Sequence, residues 1–238
     1  MGEPRVKLLA VDLDGTLVDS APDIAHCLGS ALEAVGFPRP GEALTRIWIG
    51  DGLETLIARA LAHATAGETA RDPQRQPSAL AAFLACYSDN LFVRSRLYPD
   101  VVSTLDALLE RGIRLCCITN KRHEFSERLL TQAGIRDRFE LLLGGDSFAE
   151  KKPSPLQLNV AAEMLGMPPA AAALVGDSHQ DLRAARAAGY AFVLASYGYG
   201  YGYGYGYGYG YGKIDETELG GAPRIRHFRE LQAALGVV

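Results

Sequence analysis

The chain has no apolar run near the roughly 20 residues that a membrane-crossing helix needs, so a bilayer is not among its expected partners. It has no excess of basic residues either: 24 Lys and Arg stand against 28 Asp and Glu, a formal net charge of −4. The two signs are mixed along the sequence, which leaves no broad basic face and excludes nucleic acid as a general partner. Cysteine is scarce, with only Cys27, Cys86, Cys116 and Cys117. The last two are neighbours inside an apolar run, poor geometry for a disulfide framework, and no CxxC pair marks a structural zinc site. All four are expected as reduced core residues, and the protein as soluble and cytoplasmic. The five histidines form no metal-ligand spacing, although His179 stands near a candidate motif. The single tryptophan, Trp48, is expected to pack rather than to recognise a ligand.

Apolar material is plentiful, at 48% of 238 residues, enough for one large core or a core with an insertion. Short apolar runs with strand character recur at residues 6–11, 113–118, 141–143, 173–175 and 191–195. Segments of helical spacing lie between them. Four of these, at 105–111, 125–133, 156–165 and 182–188, stop at Gly112, Gly134, Gly166 and Gly189, the residue expected just past a helix end. Strands and helices alternating over short connections predict an α/β fold with a parallel sheet covered on both faces.

Between about residues 19 and 98 the alternation fails, and only helical stretches appear, at 24–35, 53–64 and 79–91. This predicts a helical insertion with an interhelical loop at 67–77. The expected division is an α/β catalytic core from residues 1–18 and 96–238, with residues 19–95 as the insertion. Residues 197–212 alternate Tyr and Gly without a break. Glycine at every second position makes ordering expensive, so a surface loop is expected, with a stacking or self-association surface as the alternative.

The chemistry gathers at the ends of the strand-like runs. The first ends in Asp12-Leu13-Asp14-Gly15-Thr16-Leu17, two carboxylates at the edge where open parallel sheets bind ligands. A carboxylate facing a phosphate dianion is repelled unless a cation is near, and a hard, oxygen-seeking ion such as Mg²⁺ fits. Asp177, at the end of the fourth run, can close that metal site. Thr119 and Asn120, after the second run, offer a hydroxyl and an amide to phosphate oxygens. Lys152, after the third, offers an ammonium for charge on a transferring phosphoryl group. Four successive strand ends thus supply a nucleophile, oxygen ligands, a cation and a metal ligand.

The ordered set Asp12-x-Asp14-Gly15-Thr16-Leu17-Val18-Asp19-Ser20, Thr119-Asn120, Lys152-Pro153-x-Pro155 and Gly176-Asp177-x-x-x-Asp181 resembles the haloacid dehalogenase-like phosphatases. The string continuing through Ala21-Pro22-Asp23-Ile24 is similar to the bacterial phosphoglycolate phosphatase branch. The resemblance implies a doubly wound, Rossmann-like core with a helical cap, and a monomer or homodimer. It implies Mg²⁺-dependent hydrolysis of a small phosphorylated metabolite, 2-phosphoglycolate first, through an aspartyl-phosphate on Asp12. Asp14 would act as acid and then base, and Asp12, the Asp14 carbonyl and Asp177 would hold Mg²⁺. Thr119 and Lys152 would bind phosphoryl oxygens, with Asp181 orienting Lys152. Substrate choice would lie in the cap, where Gly50-Asp51-Gly52 can present backbone N–H groups to a substrate carboxylate. Arg46, Lys121 and Arg122 are further candidates for that carboxylate, or else solvated surface charges. A sugar phosphate, a nucleotide or pyrophosphate is the alternative substrate, and phosphosugar mutase the alternative reaction. A non-catalytic assembly protein built on the Tyr-Gly repeat is the alternative class. One departure from relatives is clear: their short Tyr-Gly turn is here a long repeat, expected to leave the four strand ends untouched.

Overall fold

The computed structural model describes residues 6–65, 74–202, 214 and 216–237. A short first strand, β1 (Leu8–Val11), leads to a two-residue strand, β2 (Val18–Asp19), and then to four helices: α1 (Ala21–Ala34), α2 (Glu42–Trp48), α3 (Leu53–Ala64) and α4 (Arg75–Asp89). The chain returns through β3 (Arg96–Leu97), which pairs antiparallel with β2, Val18 opposite Leu97 and Asp19 opposite Arg96. From there strand and helix alternate: α5 (Val101–Glu110), β4 (Arg114–Ile118), α6 (His123–Gln132), β5 (Leu141–Leu143), α7 (Leu156–Met164), β6 (Ala172–Gly176), α8 (His179–Ala188) and β7 (Ala191–Ala195). A helical turn, α9 (Tyr199–Gly202), and an edge strand, β8 (Arg224–Ile225), follow.

The main sheet runs β5-β4-β1-β6-β7-β8, every pairing parallel. Its strands are buried on both faces, which is why they read as continuous apolar runs instead of alternating ones. Leu9, Val11, Leu115 and Val175 join the core on one side, shared with the four-helix insertion; Leu8, Ala10, Cys116 and Leu174 join the other, under α7 and α8. The chain first builds outward from β1 through β4 to β5, then crosses to β6 on the other flank. Such a reversal opens a crevice at the carboxyl ends of the central strands. Gly112, Gly134, Gly166 and Gly189 all have positive φ, as expected of residues that end helices.

Some expectations are corrected. Helix α4 starts at Arg75, so Pro77 belongs to its first turn, where a missing N–H costs nothing, and not to the loop expected through residue 77. Residues 67–73 of that loop lie outside the described residues. Helix α2 and the strands β2, β3 and β8 were not expected; α2 has seven residues and the strands two each, too few to show a period. Cys27 on α1 and Cys86 on α4 are joined by a disulfide, Cα atoms 5.4 Å apart, where four thiols were expected. The pair is 59 residues apart in sequence and meets only because α1 packs on α4. Cys116 and Cys117 are free and buried in β4.

The two chain passages into and out of the helical insertion are tied by Asp23. Its fully buried carboxylate accepts from the main-chain N–H groups of Val93 (2.9 Å), Arg94 (2.9 Å) and Ser95 (2.8 Å), and from the Ser95 hydroxyl (2.7 Å). Burial alone would raise its pKa, but the bonds from Ser95 and Arg94 win and hold it below the usual carboxylate range. A depressed pKa means stability that is present above the unfolded value and lost as pH falls through the folded one. Asp23→Ala is therefore expected to cost about 3 kcal/mol near neutral pH, because three N–H groups lose their acceptor. The gap to the parent should close as pH drops below about 4. Urea denaturation of both proteins across that range checks it; a gap independent of pH would show that the carboxylate charge is not what matters.

Candidate active site

The acids and the lysine named from the strand ends occupy one pocket at the carboxyl edge of the sheet. Asp12 directly follows β1, with its N–H donating to Val175 O (3.0 Å), and is 7% exposed. Lys152, 3% exposed, reaches in from the loop after β5. Its ammonium donates to Asp12 Oδ1 (2.7 Å), Asp181 Oδ1 (2.6 Å) and the Ile118 carbonyl (2.7 Å), which uses all three of its protons. Asp181 is held in turn by the start of α8, where Ser178 and Asp181 form a reciprocal capping box. Asp177, at the end of β6, turns Oδ2 toward the main-chain N–H groups of Tyr199 (2.6 Å) and Gly200 (3.0 Å), and its Oδ1 lies 3.5 Å from the Thr16 hydroxyl.

Oxygens of Asp12, Asp177 and Asp181 lie within 4.8 Å of one another. Three buried carboxylates thus face one ammonium. Burial, reinforced by Asp181 and Asp14, pushes Asp12 up to about 7 despite the pull of Lys152. Burial and then the neighbouring Asp12 and Asp181 push Asp177 well above the carboxylate range. The Lys152 pKa is raised too: burial opposes its charge, but Asp12 and Asp181 outweigh that and hold it protonated. The donor set is all oxygen, and the negative charge exceeds the positive, so a hard divalent cation fits this pocket on chemistry and on charge.

Asp14 makes a separate pair. Both its oxygens accept from Lys121 Nζ at 3.1 Å, and the Ser20 hydroxyl donates to Oδ1 at 2.5 Å. Lys121 is itself covered by the insertion, 4.8 Å from the centre of the Tyr87 ring of α4. Thr119 and Asn120 follow β4. The Thr119 hydroxyl accepts from Lys121 N (3.2 Å), and the Asn120 amide donates to the carbonyls of Lys152 (2.9 Å) and Gly50 (2.9 Å), linking the core to the loop between α2 and α3.

That loop and α3, α4 and α8 enclose a cavity of about 380 Å³ above Asp12, Asp14, Thr119, Lys152 and Asp177. Gly50, Asp51 and Gly52 line it. The Asp51 carboxylate is taken by Arg59 of α3 and Gln180 of α8, so it braces the wall. The side chains of Arg46 and Lys121 are largely covered, 10% and 7% exposed, which removes the solvated-surface alternative for both. Arg46 forms a forked pair with Asp19 (2.8 and 3.0 Å) and also meets Glu42; Arg122, nearer solvent, pairs with Glu54 at 2.5 Å. His179 lines the cavity with Nδ1 2.9 Å from Glu218. Trp48 packs in the core beside His63.

Tyr199 is the residue that sequence reasoning missed. It is 6% exposed, not part of a surface loop, and the repeat touches a strand end after all. Perfect periodicity hides which tyrosine is special, and position directly after β7 was the one available signal. Residues 203–212 of the repeat lie outside the described residues.

An acid-rich pocket at the carboxyl edge of a doubly wound sheet, roofed by inserted helices, defines a class of hydrolytic α/β enzymes. The haloacid dehalogenase-like hydrolase family model matches residues 6–189, and the chain belongs to that family. Over 192 residues it is 44% identical to the phosphoglycolate phosphatase of Nitrosococcus oceani, covering 81% of this chain and 84% of that one. It is 41% identical over 194 residues to the phosphoglycolate phosphatase of Neisseria meningitidis, covering 82% of each. The crystal structure of a predicted phosphoglycolate phosphatase from Haemophilus somnus superposes with a TM-score of 0.87 at 35% identity, over 98% of this chain and 99% of that one.

Proposed function

We propose that the protein is a Mg²⁺-dependent phosphatase that hydrolyses a small phosphate monoester, 2-phosphoglycolate first, through an aspartyl-phosphate on Asp12. The observation that carries this reading is the Lys152 ammonium bonded to Asp12 Oδ1, which leaves Oδ2 of a buried carboxylate for the phosphorus. The names of the relatives support the substrate. In the first half-reaction Asp12 forms an O–P bond as the ester P–O bond breaks, and Asp14 gives its proton to the leaving alkoxide. In the second, Asp14 takes a proton from water, whose oxygen bonds to phosphorus as the Asp12 O–P bond breaks, releasing phosphate and freeing Asp12. Thr119 binds a phosphoryl oxygen, Lys152 turns toward another oxygen one of the three protons it shares among Asp12, Asp181 and the Ile118 carbonyl, and Asn120 fixes the loops that carry them. Asp12, the Asp14 carbonyl and Asp177 are the residues that would hold Mg²⁺, which when bound screens the repulsion between carboxylate and phosphate.

Residues 19–95 act in this reading as a cap over a core of residues 1–18 and 96–238, keeping bulk water from the phosphoryl group. The backbone of Gly50, Asp51 and Gly52 in that cap faces the distal end of the substrate. A panel of phosphate esters assayed for kcat/KM with Mg²⁺ tests the proposal. 2-Phosphoglycolate is expected to lead; a sugar phosphate, nucleotide or pyrophosphate ahead by about tenfold would displace it. An isomerised ester in place of free phosphate would make the protein a mutase.

A further inference from the structure

The Tyr-Gly repeat begins inside the site, and glycine is what lets it. Asp177 is flanked by Gly15 and Gly198, and a Cβ on either would collide with its carboxylate side chain. A Cβ on Gly200 would strike the Asp177 carbonyl. With hydrogen at these positions the backbone passes close enough for two successive N–H groups, of Tyr199 and Gly200, to donate to Asp177 Oδ2. The alternate residues anchor the same stretch. The Tyr197 hydroxyl donates to Thr16 O (2.9 Å) and its ring meets that of Tyr98, centroids 4.7 Å apart. The Tyr199 hydroxyl donates to Asp19 Oδ1 (2.8 Å) and accepts from Ala21 N (3.0 Å), at the exit toward the helical insertion.

We propose that the first two Tyr-Gly units, residues 197–200, are a positioning element for Asp177: their paired N–H groups immobilise Oδ2 and leave Oδ1 as the oxygen presented to the divalent cation. This rests on the proposed function. Glycine provides the approach and tyrosine the anchorage, so the period of two is the pattern the socket requires. Because the repeat is uniform, removing any whole unit from residues 201–212 leaves Ser196 followed by the same Tyr-Gly-Tyr-Gly. The site needs two units, and the remainder is dispensable to it.

The test is direct titration of Mg²⁺ by calorimetry, beside phosphate release. Groups that orient a metal ligand typically change affinity by 10–100-fold, so Gly198→Ala in the full chain is expected to bind Mg²⁺ at least about tenfold more weakly. A chain lacking residues 201–212 should stay within about twofold of the parent, whereas one lacking 199–212, one unit shorter, should lose about tenfold or more. Circular dichroism and thermal melting establish which variants fold; should Gly198→Ala not fold, the two deletions decide. Parental affinity in Gly198→Ala or in the shorter deletion protein overturns the inference, as does weakened binding in the chain lacking only 201–212. A parent that neither takes up Mg²⁺ nor releases phosphate overturns the underlying phosphatase reading with it.

Discussion

Asp12→Asn is expected to abolish phosphate release, lowering kcat by at least about four orders of magnitude, the scale on which a lost nucleophile shows. The amide matches the carboxylate in shape but carries no charge with which to attack phosphorus. The substitution should leave the fold intact. Asp12 is buried with its pKa pushed up to about 7, so near neutral pH its ionised form is held in the native state at a cost. Removing that charge is neutral or stabilising, and Lys152 keeps its bonds to Asp181 and the Ile118 carbonyl. Activity and melting temperature should therefore part company, the first collapsing while the second holds or rises. Turnover within about tenfold of the parent would reject Asp12 as the nucleophile.

Lys152→Met makes the opposite change. The aliphatic stem is roughly preserved, but Asp12 and Asp181 lose the ammonium they share, the one that offsets the charge of the carboxylate cluster. Breaking a buried pair from one side costs about 3–5 kcal/mol. On the proposed mechanism the group facing the phosphoryl oxygens is lost as well, so kcat should fall by about 10²–10³. The pH dependence has a definite sign. A carboxylate with a raised pKa is destabilising when ionised, so the deficit is largest at alkaline pH and shrinks as Asp12 takes up a proton below about 7. Thermal melts of parent and variant between acid and alkaline buffers measure this; a deficit that grows on acidification would contradict the assignment.

The sheet was legible because a strand buried on both faces leaves an unbroken apolar run, and β1, β4, β5, β6 and β7 all do. The acids were legible because parallel strands deliver the residues after their last pairs to a common edge, so Asp12 and Asp177 could be paired without knowing the helices between them. The features that stayed hidden depend on the partner more than on the segment. A two-residue strand such as β8 exists only because β7 is beside it. Cys27 and Cys86 meet through helix packing, and no spacing encodes that. Arg46 and Lys121 looked like surface charges because their acidic partners, Asp19 and Asp14, are remote in sequence. The repeat was misjudged for the reverse reason: composition averages over its units, while the socket around Asp177 selects two.

The antiparallel ribbon of β2 and β3, with Asp23 strapping residues 93–95 beside it, has a consequence for how such a chain diversifies. Outgoing and returning strands lie side by side, Val18 opposite Leu97, so the sheet's own path is already closed before the helices begin. Whatever is spliced between those two residues behaves as a graft on a finished stem. A roof of different length or lining, grafted after Asp23 and before Val93, is expected to leave Asp12, Lys152 and Asp177 in place, because the Tyr199 anchors at Asp19 and Ala21 stay with the stem.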